Sequence, residues 1–215
     1  MDPPVRGLLH RPAQAPSDAL VLTHGAGSNC HAPLLVALAN LFAQSGYLVL
    51  RCDLPFRQVR PTGPPRPGDA LRDRQGLANS VASVKDLVSG RIFLGGHSYG
   101  GRQSTLLVAE HPELVSGLLL LSYPLHPPRN PQQLRVQHLP NLAVRSLFVH
   151  GTRDPFGSIQ ELESALKLIP AAARLLTVDG VGHDLGFKGK KTGEELPIRI
   201  VEAFRQRMDS PKTND

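Results

Sequence analysis

The chain has 215 residues, 40% of them hydrophobic and 20% charged, which is enough apolar mass for one substantial core in a single domain over residues 1–209. Its formal charge of +6 is spread over scattered arginines and lysines, and aromatic residues make up 5% with no Trp. That argues against a specific nucleic-acid partner, since stacking platforms are scarce. No apolar run approaches the roughly 18 residues of a membrane span, and the N-terminal MDPPVRGLLHRP lacks the apolar centre of a signal peptide, so the expected location is cytoplasmic.

In chain order, residues 5–9 read as an antiparallel edge strand, and ALVLT at 19–23 as a strand buried on both faces. A helix pattern follows over 34–44, then a strand at 47–52. Residues 55–68 (PFRQVRPTGPPRPG) are rich in Pro, Gly and Arg and read as a long surface loop. A helix over 70–88 precedes a strand at 91–94, and a second helix over 102–110 precedes a strand at 118–122. Residues 123–140 carry five prolines and allow at most one short helix. Strands at 146–150 and 174–178 flank a helix over 159–168, where Ser158 and Glu161 are spaced as a capping box. A helix over 195–208 closes the pattern, and the tail from Ser210 is expected to fray. Strands and helices alternating in this way predict one doubly wound, mostly parallel α/β sheet. The basic run KGKK at 188–191 is too short to act as a nucleic-acid arm.

The strongest local signal is Gly96-His97-Ser98-Tyr99-Gly100, a G-x-S-x-G string. A strand runs into it and a helix pattern leaves it, which is the setting of a nucleophile elbow. A serine hydroxyl needs a base, and the partners of such an elbow follow in the order Ser, acid, His. Asp154 lies just past the strand at 146–150, and His183 lies in a glycine-flanked loop past the strand at 174–178. Catalytic side chains of open α/β sheets sit at those strand ends. Ser98 is therefore read as nucleophile, His183 as base and Asp154 as the acid that orients it, with Asp179 as the competing acid. His24-Gly25-Ala26-Gly27 follows the strand at 19–23. The N–H groups of Ala26 and Tyr99 are the expected oxyanion donors, with Gly25 and Gly27 allowing close approach of substrate.

The strings HGAGSN, RCDLPF, GGHSYGGR, HGTRDPFG and GVGHD together resemble the bacterial branch of the KANL3/Tex30-like α/β-hydrolase family, which is related to dienelactone hydrolases. The resemblance spans about residues 19–208. It implies the α/β-hydrolase fold and places Ser98, Asp154 and His183 at the triad positions. Dienelactone hydrolases proper use a cysteine where this chain has Ser98, so dienelactone activity itself is not implied. The expected function is hydrolysis of a small-molecule ester or thioester through an acyl-enzyme. The alternative is a catalytically silent scaffold on the same fold, as in some eukaryotic relatives.

Arg51, Arg57, Arg102 and Arg153 fall on the same sheet edge as the site. Either they favour a carboxylate-bearing substrate or they anchor loops, with Arg102 tying the elbow to Asp53. His97 is assigned to packing around the site. Cys30 and Cys52 lack metal-binding spacing and are expected as buried thiols; no metal or cofactor is expected. The segment between the strands at 118–122 and 146–150 is too short for a helical cap, so the site should be open.

Overall fold

A computed structural model of the chain describes residues 2–187 and 195–209. The run at 188–191 and the tail from 210 lie outside the described residues. Seven strands form one sheet: β1 (Gly7–His10), β2 (Ala19–Thr23), β3 (Leu48–Cys52), β4 (Ile92–His97), β5 (Gly117–Leu121), β6 (Arg145–Gly151) and β7 (Ala173–Val178). Their spatial order is β1-β3-β2-β4-β5-β6-β7. Only β1 is antiparallel, pairing Gly7 with Cys52 at the sheet edge.

Successive strand residues point to opposite faces, and each face carries its own core. Ala19, Val21, Leu94, Leu118, Leu120 and Phe148 pack on one side; Leu20, Leu22, Phe93, Leu119, Leu147 and Val149 pack on the other. Helices α1 (Pro33–Gln44) and α6 (Glu195–Asp209) cover the second face, where Phe204 meets Phe42 and Phe93 edge-on with centroids 5.3 and 5.2 Å away. Helices α3 (Asp69–Lys85), α4 (Tyr99–Glu110) and α5 (Ile159–Leu166) cover the first through Leu77, Leu107 and Leu162. Ser158 and Glu161 form the capping box at the start of α5.

The stretch at 55–68 is not all surface loop. Its first five residues form helix α2 (Pro55–Val59), and Pro55, Phe56 and Arg57 are buried. Proline at the first helical position fixes a helical φ without losing a needed donor, and Phe56 anchors the turn against His24 and Tyr99. Composition pointed to solvent; one aromatic anchor decided otherwise. Between β5 and β6 the chain has a short 3₁₀ turn at Leu139–Asn141 and buries Tyr123, Leu125, Leu139 and Leu142, so it lies down on the sheet body instead of rising as a cap.

Candidate active site

Ser98 stands between β4 and α4 with φ +51° and ψ −116°, a backbone region that side-chain-bearing residues rarely enter. The turn closes because its flanking positions are bare. A Cβ on Gly100 would meet the His24 carbonyl oxygen at 2.4 Å, and one on Gly96 would meet the Gly101 nitrogen at 2.7 Å. The Ser98 N–H donates to the Leu121 carbonyl at 2.8 Å, which leaves the hydroxyl free to face the crevice.

His183 Nε2 lies 2.7 Å from Ser98 Oγ, and His183 Nδ1 lies 2.8 Å from Asp154 Oδ2. A carboxylate only accepts, so Nδ1 carries the ring proton and the serine hydroxyl donates to Nε2. The loops after β6 and β7 are laced together. Arg153 N donates to the Val181 carbonyl (2.9 Å), Thr152 Oγ1 donates to Asp179 Oδ1 (3.1 Å), and Gly180 N donates to Thr152 Oγ1 (2.9 Å). Asp179 is thus engaged with Thr152, while Asp154, buried, meets the imidazole. Asp154 Oδ1 also accepts from Phe156 N at 2.9 Å, which fixes the carboxylate's plane.

Two rings flank His183. Phe156 stacks on it with centroids 4.2 Å apart and 32° between planes, and His97 lies 5.1 Å away. His97 Nε2 donates to the His183 carbonyl at 2.8 Å, and burial pushes the His97 pKa down to about 4. Sequence reasoning missed Phe156; the D-P-F spacing, which forms an Asx-type turn here, was the available signal.

The HGAG loop is braced by the RCDLPFR segment. Arg57 Nη2 donates to the Ala26 carbonyl (2.8 Å) and to the Gly63 carbonyl (2.9 Å), and its Nε donates to the Ser28 carbonyl (2.7 Å). Arg51 donates to the Cys30 carbonyl, and Asp53 Oδ1 accepts from Cys30 N at 2.7 Å. His24 is fully buried; it donates from Nδ1 to the Gly25 carbonyl and accepts from Leu54 N at Nε2, and burial lowers its pKa. Ala26 and Gly27 line the cavity beside Ser98. Tyr99 opens α4, so its N–H lies ahead of the helix's own hydrogen-bond ladder. Its phenol donates to Asp73 Oδ2 at 2.7 Å, and Asp73 Oδ1 accepts from Phe56 N, which locks α2, α3 and α4 together.

Among the described residues the expected tie between Arg102 and Asp53 is absent; Asp53 Oδ1 accepts from Cys30 N instead. The Arg102 Nε has no partner among the described residues, and its charge acts instead on Tyr123, Arg135 and His138. Arg102 does not line the cavity beside Ser98. Arg153 is exposed. Gly27 has nothing within 4 Å of a would-be Cβ, so no close contact requires a glycine there.

The family profile described as "Alpha/beta hydrolase domain" matches residues 16–209. The chain belongs to the alpha/beta hydrolase domain family. Its seven-stranded, mostly parallel sheet flanked by helices is the fold of that family. Among solved structures it is similar to Est1E from Butyrivibrio proteoclasticus, at 16% identity and TM-score 0.74 over 96% of this chain and 95% of that one. It is similar to the dienelactone hydrolase from Anabaena variabilis, at 20% identity and TM-score 0.70 over 94% and 90% of the two chains. It is also similar to an alpha-beta serine hydrolase homologue from Coxiella burnetii, at 17% identity and TM-score 0.70 over 94% and 98%. At these identities the likeness concerns the fold of this α/β hydrolase. No described helix is long and apolar enough to cross a membrane.

Proposed function

We propose that this α/β hydrolase cleaves an ester or thioester through an acyl-enzyme on Ser98. The observation that carries the reading is the continuous relay from Ser98 Oγ through His183 to Asp154, at 2.7 and 2.8 Å. As Ser98 Oγ attacks the carbonyl carbon, His183 Nε2 takes its proton, and Asp154 stabilises the resulting imidazolium. The carbonyl oxygen gains the negative charge and is received by the N–H groups of Ala26 and Tyr99, each such donor contributing about 3 kcal/mol. Collapse breaks the bond to the alcohol or thiol, which leaves with the proton from His183. Water then enters and gives a proton to His183 as it attacks the acyl carbon; the bond to Ser98 Oγ breaks, Ser98 takes the proton back from His183, and the acid leaves.

Within the RCDLPF string, Leu54 N donates to His24 of the HGAG loop and Arg51 and Asp53 hold Cys30 just beyond it, so the string has a task beside the site, which supports the KANL3/Tex30-like branch within the family. The two free, buried cysteines are compatible with a reducing, cytoplasmic setting. A fluorophosphonate probe tests the proposal. Labelling of wild type and loss of labelling in Ser98→Ala support it. No labelling, together with no turnover of p-nitrophenyl esters or thioesters, would favour a catalytically silent scaffold.

A further inference from the structure

The imidazole of His183 is held in two ways. Its edge carries the relay, with Nδ1 at 2.8 Å from Asp154 Oδ2 and Nε2 at 2.7 Å from Ser98 Oγ. Its face carries Phe156, with ring centroids 4.2 Å apart and 32° between planes. Two hydrogen bonds at the edge still let the ring rock about the line that joins them. A flat neighbour on the face restricts that motion.

The seat of Phe156 is itself fixed by the main chain. Its N–H donates to Asp154 Oδ1 at 2.9 Å, and its carbonyl accepts from His126 N at 3.0 Å. The next residue, Gly157, accepts from His150 Nε2 at 2.8 Å, and a Cβ on it would meet the Leu125 Cβ at 3.0 Å. The loop after β6 is thus pinned onto the chain that follows β5. Phe156 reaches both partners of the serine, Asp154 through its backbone and His183 through its ring.

Around His183 the described residues place Asp154, with His150 Nε2 behind it at 3.7 Å from Oδ2; His97, whose ring centroid is 5.1 Å away; and Asp184, the next residue in the chain. Arg153 and Asp179 stand exposed in the two neighbouring loops. His97, pushed down to about 4, is neutral at pH 7. An aromatic ring presents a negative face, and a cation against that face is held more firmly than the same group uncharged.

We propose that Phe156 is a positioning residue of this hydrolase, holding the imidazole of His183 in line with the relay and favouring the imidazolium that forms as Ser98 Oγ gives up its proton. The inference rests on the Ser98 reading above.

The test replaces Phe156 with 4-fluoro-, 3,5-difluoro- and pentafluorophenylalanine, which nearly keep the ring's shape and weaken its negative face. Phe156→Leu and Phe156→Tyr are made alongside. Two quantities are read from pH 5 to pH 9: kcat and kcat/KM on p-nitrophenyl butyrate, and the NMR titration of the His183 Cε1–H signal, assigned by its loss in His183→Gln. Both the His183 pKa and the plateau kcat should fall stepwise with fluorination. In Phe156→Leu the pKa should drop by about half a unit and kcat by about threefold to fivefold, with KM little changed. Phe156→Tyr keeps the ring face and should restore most of the loss. A role in packing alone would lower the plateau without moving the titration in the fluorinated series. A flat pKa and kcat across that series would overturn the inference, and the series decides it even if Phe156→Leu fails to fold. Fluorophosphonate labelling separates the two failures: labelled Ser98 with a flat series removes this inference alone, and unlabelled Ser98 in the wild type removes the parent reading and this inference with it.

Discussion

Arg57 on α2 donates to the carbonyl of Ala26 at 2.8 Å, so a single guanidinium holds the main chain of the loop proposed to receive the oxyanion. The same group reaches Ser28, Arg60 and Gly63, a fork that an ammonium cannot reproduce. Arg57→Lys should therefore lower kcat more than it raises KM and reduce stability by about 1–3 kcal/mol. Steady-state kinetics and denaturant melts check both. Arg102→Ala, removing a cation that lies off the cavity, should leave the ratio of rates on anionic and neutral esters unchanged. A selective rise of KM for anionic esters would return Arg102 to the substrate.

The relay makes a separable claim about the two aspartates. Asp154→Asn keeps the shape but presents an amide to His183 Nδ1, which favours the wrong tautomer; kcat should fall about 10⁴-fold. Asp179→Asn disturbs a bond to Thr152 in an exposed turn, and its kcat should stay within a few-fold of wild type. Equal losses in both variants would remove Asp154 from its proposed role.

The elbow's glycines should differ from the loop's. Gly100→Ala drives a Cβ to 2.4 Å from a main-chain oxygen that has no room to retreat, whereas Gly27→Ala enters open space. The first should fold poorly or melt far lower, by several kcal/mol. The second should keep the wild-type melting temperature. Circular dichroism melts of the two side by side settle the contrast.

Two half-buried histidines set an acid limit on stability. Burial pushes His97 down to about 4, and burial together with the Arg102 charge does the same to His138. Each is neutral when folded and titrates near 6.5 when unfolded, so the unfolded chain binds more protons between those values. Their contribution is complete above about pH 6.5 and drains away as pH falls toward 4. Urea midpoints measured from pH 7 to pH 4 should decline, and the decline should be shallower in His97→Gln and in His138→Gln.

The order of strands and helices was legible in the sequence because each buried strand is a short, nearly continuous apolar run and each helix repeats its apolar face every three or four residues. The strand entering GHSYG and the glycines on either side of Ser98 announced a tight turn, since no bulkier residues fit it. The starting residue of α4 was less legible: the helix begins at Tyr99, where two glycines depress propensity and only tertiary packing makes them necessary, Gly100 against Thr23 and His24 and Gly101 against the Gly96 carbonyl.

By itself the sequence determined which residue types meet at the carboxyl edge of the sheet, because chain order and strand ends are local properties. Which acid reaches His183, which arginines are spent on main-chain carbonyls, and which apolar side chains stand beside Ser98 were decided by tertiary structure. The two bonds of His183 join side chains 29 and 85 residues apart in sequence, and their geometry follows from how the loops after separate strands lace together.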